Sequence, residues 1–264
     1  MSDFPAGLWQ IAPVEAACKC CFAASPLYGV ADFNKHCNVH DPFPLAGIPI
    51  YYYRCPACGF IFTAALDGWT RRDFDRWIYN DEYIRVDPDY REIRPRANAD
   101  KLCSLFAAQQ DLRILDYGGG GGLLGRLLAE RSFAGVETYD PHVAEFAARP
   151  AGGFDLVVAF EVLEHATQPR EIFFDMISLL RPGGMLLFST PIQPGNINEL
   201  GMNWWFIAPR NGHVSIHTPQ SLRRIASERG LRLVSDPAKV WHLMLSEEPP
   251  AFARHMNIPP PGRL

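Results

Sequence analysis

Five consecutive glycines, Gly118 to Gly122, separate an apolar run ending in Asp116-Tyr117 from a second apolar run that begins at Leu123. Glycine has no Cβ, so Gly118, Gly120 and Gly122 let the chain turn sharply off a strand and let a ligand approach the main chain closely. A helix over about Leu123 to Arg131 would point its N-terminal amides at the same spot, which is the layout of a nucleotide-type cofactor site. Asp140 ends a β-compatible stretch, Phe133 to Tyr139, about two dozen residues after Asp116. An acid at that strand edge can accept hydrogen bonds from both hydroxyls of a ribose. Glu137 in the same stretch is the competing acid. The glycines alone do not decide the ligand, because such runs also form plain loops and a dinucleotide spacing can be read over Gly120, Gly122 and Gly125.

A second group of reactive side chains lies before residue 60, where six of the seven cysteines occur. Cys18 and Cys21, then Cys55 and Cys58, form two C-x-x-C knuckles. In a reducing compartment this spacing favours a metal over a disulfide, and four thiolates suit a closed, structural zinc tetrahedron. Cys20 could replace a ligand of the first knuckle, and Cys37, flanked by His36 and His40, offers another alternative. A redox pair at Cys55 and Cys58 and unligated buried thiols are the competing readings. Cys103, inside an expected helix over Ala97 to Gln109, reads as a core residue. Tyr51 to Tyr53 and Phe60 to Phe62 read as hairpin strands around the second knuckle, their rings covering the site or docking on the main domain.

The elements that must position these residues follow in a recognisable order. Asp116-x-Gly118-x-Gly120-x-Gly122 comes first, then the strand ending at Asp140. Phe154-Asp-Leu-Val-Val-Ala-Phe160 is a continuous apolar run, as a parallel strand buried on both faces should be, and it passes into Glu161-Val-Leu-Glu-His165. Leu179 to Thr190 then gives a helix end, a Pro182-Gly183-Gly184 turn and a further strand. This succession resembles the class I S-adenosylmethionine-dependent methyltransferases over roughly residues 97 to 245. The resemblance implies a Rossmann-like α/β sheet and S-adenosylmethionine over Gly118, Gly120 and Gly122, with Asp116 in the motif, Asp140 on the ribose and Ala159 or Phe160 near the methionyl end. The two-knuckle front half gives a looser likeness to bacterial deoxysugar C-methyltransferases. In that group a loop histidine serves as base and is preceded by a glutamate. The matching segment here, Asn211 to His217, implies His213 as base or acceptor-orienting residue, but Gly212 stands where the glutamate would be. His165 is placed at the carboxyl edge of the sheet to contact the same acceptor, and His217 reads as structural.

One departure concerns the sheet itself. Only thirteen residues separate Asp140 from Phe154, whereas a crossover takes at least about ten to twelve residues before any strand is counted. A vestigial third strand is therefore expected, with His142 to Arg149 crossing the adenine side as an irregular segment.

The expected organisation is a zinc-ribbon-like module over residues 1–66, a helical segment at a substrate mouth over 67–96, the methyltransferase domain over 97–246, and an extended or disordered tail over 247–264. Tyr79, Tyr83 and Tyr90 are candidates to line that mouth. The last two strands are expected near Leu231 to Ser235 and Lys239 to Leu245, after a helix over Pro219 to Arg229. At 264 residues and 48% hydrophobic, the chain can bury a full α/β core and one extra module. No stretch reaches membrane-spanning length and the first residues lack a secretion signal, which reads as cytoplasmic. A net charge of -4 gives no basic field for nucleic acid. The expectation is a methyltransferase acting on a small molecule such as a nucleotide sugar or glycan precursor. The alternatives are a nicotinamide dehydrogenase and a zinc-containing scaffold whose methyltransferase-like domain is inactive.

Overall fold

The structure, a computed structural model, describes residues 13–38, 40–41, 43–236 and 240–260. The N-terminal residues used for the secretion-signal reading, the expected strand start at Lys239 and the end of the tail lie outside them. The strands are β1 (Glu15–Ala17), β2 (Ala24–Asp32), β3 (Pro49–Arg54), β4 (Ile61–Thr63), β5 (Arg113–Tyr117), β6 (Gly135–Tyr139), β7 (Phe154–Phe160), β8 (Leu180–Ser189), β9 (Ser215–Ile216), β10 (Arg232–Asp236) and β11 (Trp241–Leu245). The α-helices are α1 (Arg71–Trp77), α2 (Tyr83–Val86), α3 (Ile93–Leu105), α4 (Leu123–Glu130), α5 (Pro169–Ser178), α6 (Ile197–Leu200) and α7 (Pro219–Ser227). The chain divides into two compact units, one drawn from Met1–Pro88, Glu164–Arg170 and Pro191–Arg224, the other from Asp89–Leu163, Glu171–Thr190 and Ile225–Leu264.

The second unit is built on a six-stranded sheet in the order β10-β11-β8-β7-β5-β6. β6, β5, β7 and β8 run parallel, while β11 and β10 close the other edge antiparallel. β7 is buried from Phe154 to Ala159, as its unbroken apolar run requires. Leu124, Leu127 and Leu128 of α4 share a core with Ala99 and Leu102 of α3, Ile114 of β5, and Leu156 and Val158 of β7. Between Asp140 and Phe154 there is one 3-10 turn, Ala144–Phe146, and no strand. β6 is therefore an edge, in keeping with the shortness of the crossover.

Two local expectations are corrected in this unit. Pro182-Gly183-Gly184 does not precede the strand; it lies inside β8. The ladder to β7 runs Phe154 to Leu180 and then Leu156 to Met185, so the Pro-Gly-Gly segment is looped out as an irregularity and Gly183 takes φ 75°. The tail is not wholly extended. Ala251–Met256 forms a 3-10 helix, Ala253 is buried, and Phe252, Met256 and Ile258 pack against the core. Its spaced apolar residues outweigh the flanking prolines.

The first unit holds an antiparallel sheet in the order β1-β2-β3-β4-β9. The expected hairpin is there as β3 and β4, with Tyr52, Tyr53, Phe60 and Phe62 buried. The unit is larger than a 66-residue module, because the Pro191 to His217 connection folds into it and contributes β9 as the partner of β4. Expected helices in the 69–96 segment appear as α1, α2 and the first turn of α3, with Asp87 and Pro88 between the last two.

Candidate functional site

β5 carries Asp116 to the carboxyl edge of the parallel strands, and the chain then turns through Gly118, Gly120 and Gly122 at φ of 73°, 53° and 71°. A Cβ on Gly118 would lie 2.5 Å from Val162, and one on Gly119 would run into the Asp116 carboxylate. The loop is thus a bare main-chain cradle by necessity. Gly122 is the residue before α4, whose first amides open toward the loop. Asp140 braces the cradle: its Oδ2 accepts from the Gly120 N–H and its Oδ1 from the His142 N–H, each at 2.8 Å. Each oxygen keeps a second lone pair, so a ribose diol can still be accepted there. Asp116 is 3% exposed, and its Oδ2 makes no hydrogen bond. Burial, and secondarily the Asp140 charge, pushes its pKa up to about 7. An orphaned carboxylate oxygen beside an open glycine turn fits a ligand that brings positive charge or N–H donors.

The irregular segment after Asp140 packs onto this turn. Phe146 lies where a Cβ on Gly122 would meet its ring at 2.8 Å, and the Asp140 N–H donates to Phe146 O at 3.0 Å. At the end of β7, Ala159 is buried and the Phe160 ring packs on Trp241 at 4.9 Å. Glu161, the next residue, was not singled out from sequence. It has φ 56°, its N–H and Oε1 both bond Ser189 Oγ, and Arg94 sits 3.0 Å from Oε2. A left-handed φ at a non-glycine residue is held here by these contacts.

In the first unit the two cysteine knuckles are built alike. The Phe22 N–H donates to Cys18 O and the Gly59 N–H to Cys55 O, both at 2.9 Å; the Cys18 and Cys55 N–H groups donate to Ala23 O and Phe60 O, also at 2.9 Å. Phe22 and Gly59 both turn with positive φ, at 63° and 72°. Sulfur separations are 3.4 Å for Cys21 to Cys55 and 3.7 Å for Cys18 to Cys58 and for Cys21 to Cys58. A zinc tetrahedron with bonds of about 2.3 Å has edges of about 3.8 Å, so the four sulfurs fit that ion. Cys20 is not in the cluster; its N–H donates to Cys18 Sγ, and burial pushes its thiol pKa well up. Cys37 is elsewhere, 3.7 Å from His213 Nδ1.

The same unit brings His165 and His213 together. Val214 is held between Thr63 and Glu164 by main-chain hydrogen bonds, Ser215 Oγ donates to Ala166 O, and the Tyr52 hydroxyl donates to His213 O at 2.7 Å. The ring centres of His165 and His213 are 5.1 Å apart. Glu164 is fully buried, and one polar atom each of Glu164, His165 and His213 lies within 4.8 Å of the others. A carboxylate from a segment other than position 212 thus lies near His213. Gly212 itself has φ 86°, and a Cβ there would crowd His165 Nδ1 at 3.2 Å, so a glutamate here would be strained. His213 Nδ1 lies 2.9 Å from Phe206 O; a carbonyl only accepts, so Nδ1 carries a proton, and in the neutral ring the lone pair is on Nε2. Tyr79, ring centre 6.2 Å from His165, is half-exposed, and Tyr83 is buried against it. Tyr90 falls in the other unit, beside Arg91. His217 is fully buried on Ser221 and Phe60, the structural place its reading assigned.

A family model described as "Methyltransferase domain" matches residues 90–236. The chain belongs to this methyltransferase family. Among curated proteins the chain is similar to the ubiquinone biosynthesis O-methyltransferase of Aromatoleum aromaticum, 35% identical over 148 residues, covering 45% of this chain and 63% of that protein. It is also similar to the enzyme of that name from Caulobacter vibrioides, 33% identical over 123 residues, covering 37% and 49%. The chain thus spans less than two thirds of the length of these relatives. Among solved structures, magnesium protoporphyrin IX methyltransferase from Synechocystis PCC 6803 with bound SAH aligns at a TM-score of 0.46 and 18% identity, over 67% of this chain and 95% of that one. The relatives' names give no support to a sugar acceptor. Among the described residues, no helix is long and apolar enough to cross a membrane.

Proposed function

We propose that the protein is an S-adenosylmethionine-dependent methyltransferase acting on a small-molecule acceptor. The observation that carries this reading is the Asp116 to Gly122 turn: three positive-φ glycines, a buried carboxylate oxygen with no partner, and Asp140 bracing the loop. When bound, the methyl donor supplies an activated methyl group for in-line displacement to the acceptor's nucleophile. The protein's part is alignment and charge. Asp116 faces the positive charge of the donor's methionyl portion, Asp140 accepts from the ribose, and the Gly118, Gly120 and Gly122 amides and the strand end at Ala159 and Phe160 frame it. His213, with Nε2 unprotonated, takes the acceptor's proton or orients the acceptor, and His165 contacts the same molecule. The four cysteines Cys18, Cys21, Cys55 and Cys58 hold a structural zinc; a closed thiolate shell leaves no position for substrate.

The relatives' names favour a hydroxyl oxygen as acceptor, so O-methylation is the first reaction to assay, with nucleotide sugars as the second panel. Binding of S-adenosylhomocysteine but not of a nicotinamide dinucleotide, followed by methyl transfer to a hydroxylated acceptor, is the expected result. Dinucleotide binding in its place would return the dehydrogenase reading, and donor binding without turnover across both panels would leave a scaffold. Once an acceptor is found, His213→Ala should lower turnover by about 10²–10⁴-fold while donor affinity stays nearly unchanged.

A further inference from the structure

We infer that Glu164, His165 and His213 form a second metal site, for a first-row divalent cation such as Zn2+, Co2+ or Mn2+, separate from the four-cysteine cluster. One ligand-type atom from each residue lies within 4.8 Å of the other two; an ion with bonds of about 2.0–2.2 Å holds its ligands at most about 4.4 Å apart, so binding draws the three side chains together around it. The set is two imidazoles and one carboxylate, the donor chemistry of catalytic zinc and of open two-histidine, one-carboxylate sites, and it leaves coordination positions for water or a ligand oxygen.

The geometry around the ligands is that of a held site. Glu164 is fully buried and His213 is 6% exposed, so both side chains are held inside the fold. His213 cannot turn freely: its Nδ1 proton is donated to Phe206 O at 2.9 Å and its ring packs on Phe206 at 4.2 Å. That outer hydrogen bond fixes the tautomer that leaves Nε2 as a ligand, the arrangement by which proteins orient metal-binding imidazoles. The main-chain ties from Val214 to Glu164 and from Ser215 to Ala166 keep the two contributing segments in register. Gly212 gives His165 the room a side chain would take.

This inference rests on the reading of His165 and His213 as acceptor-side residues and sharpens it. With an ion bound, the His213 Nε2 lone pair is committed to the metal, so His213 positions the acceptor, and the acceptor class narrows to molecules that offer the cation an oxygen donor. The rival is a metal-free imidazolium–carboxylate cluster in which a proton supplies the positive charge.

Metal content tests this without reference to activity. The full-length protein, dialysed against EDTA and titrated with Co2+, should bind one Co2+ per chain with weak visible d–d bands and no thiolate charge-transfer band, while one zinc per chain is retained. His213→Ala and Glu164→Gln should each weaken that Co2+ by at least about tenfold and leave the zinc in place. If the cysteine reading fails, no zinc is retained and no thiolate band appears whether or not Co2+ binds at the histidines, so the two failures are distinct. Wild-type protein that binds no Co2+ beyond the thiolate site overturns the proposal, and that measurement needs no variant to fold.

Discussion

Asp116 gives the sharpest test of the donor site. In the ligand-free protein its carboxyl is fully buried, one oxygen is unbonded, and burial with the neighbouring Asp140 charge takes its pKa from 3.8 to about 7. A rise of roughly three pKa units corresponds to about 4 kcal/mol. Because the folded-state value is the higher one, that cost is absent below about pH 4, grows between pH 4 and 7, and is complete above pH 7. The ligand-free protein should therefore lose stability as pH rises through this window, and Asp116→Asn should flatten that part of the profile while weakening donor binding. A ligand that brings an ammonium to the carboxylate reverses the preference and drives the proton off. At pH 6.5 a group of pKa near 7 is roughly three-quarters protonated, so binding should release somewhat less than one proton, falling to almost none at pH 8.5. Calorimetric titration with S-adenosylhomocysteine in phosphate and in Tris reads the released proton as a difference in observed heat. Equal heats in the two buffers at pH 6.5, or a proton release that persists in Asp116→Asn, would refute the reasoning.

Other expectations follow from the same geometry. Asp140→Ala removes both the ribose acceptor and the brace on Gly120 and His142, and donor affinity by calorimetry should fall tenfold or more, since a charged hydrogen bond contributes about 1.5–3 kcal/mol. Gly118→Ala forces a Cβ against Val162 at a left-handed φ, and should abolish donor binding while thermal unfolding shifts only modestly. Elemental analysis of the freshly purified protein should show zinc, and Cys58→Ser should lose it together with a large part of the thermal stability; zinc-free protein with four titratable thiols here would remove the metal.

The parallel sheet was legible in sequence because each of its strands carries its own signal. β7 is an unbroken apolar run, β5 carries an acid one residue from its end before the glycines, and the thirteen residues after Asp140 are too few for a crossover and strand. The two knuckles were legible because their chemistry is local to four residues each. What sequence did not show depends on pairing across long separations. β9 is two residues long and has no pattern of its own; it is a strand only because β4 is beside it. Glu164 read as part of a family-like Val-Leu-Glu-His segment, and nothing near it in sequence indicates that it lies beside His213. Glu161 was missed because its backbone strain is invisible in a residue string, although an acid directly after a buried run is a signal that could have marked it. The Pro-Gly-Gly triplet misled because it punctuates turns far more often than it loops out of a ladder.

The pairing of β4 with β9 bears on how the chain is made. During synthesis the cysteine knuckles and β1 to β4 leave the ribosome long before Ser215 and Ile216 exist, and at about 5–20 residues per second the gap lasts on the order of ten seconds. For that interval Ile61, Phe62 and Thr63, all buried in the finished sheet, present a bare apolar edge. A nascent chain in that state is a substrate for chaperones and a seed for aggregation. Any expression strategy that stops near residue 66 or 97 would make the interval permanent.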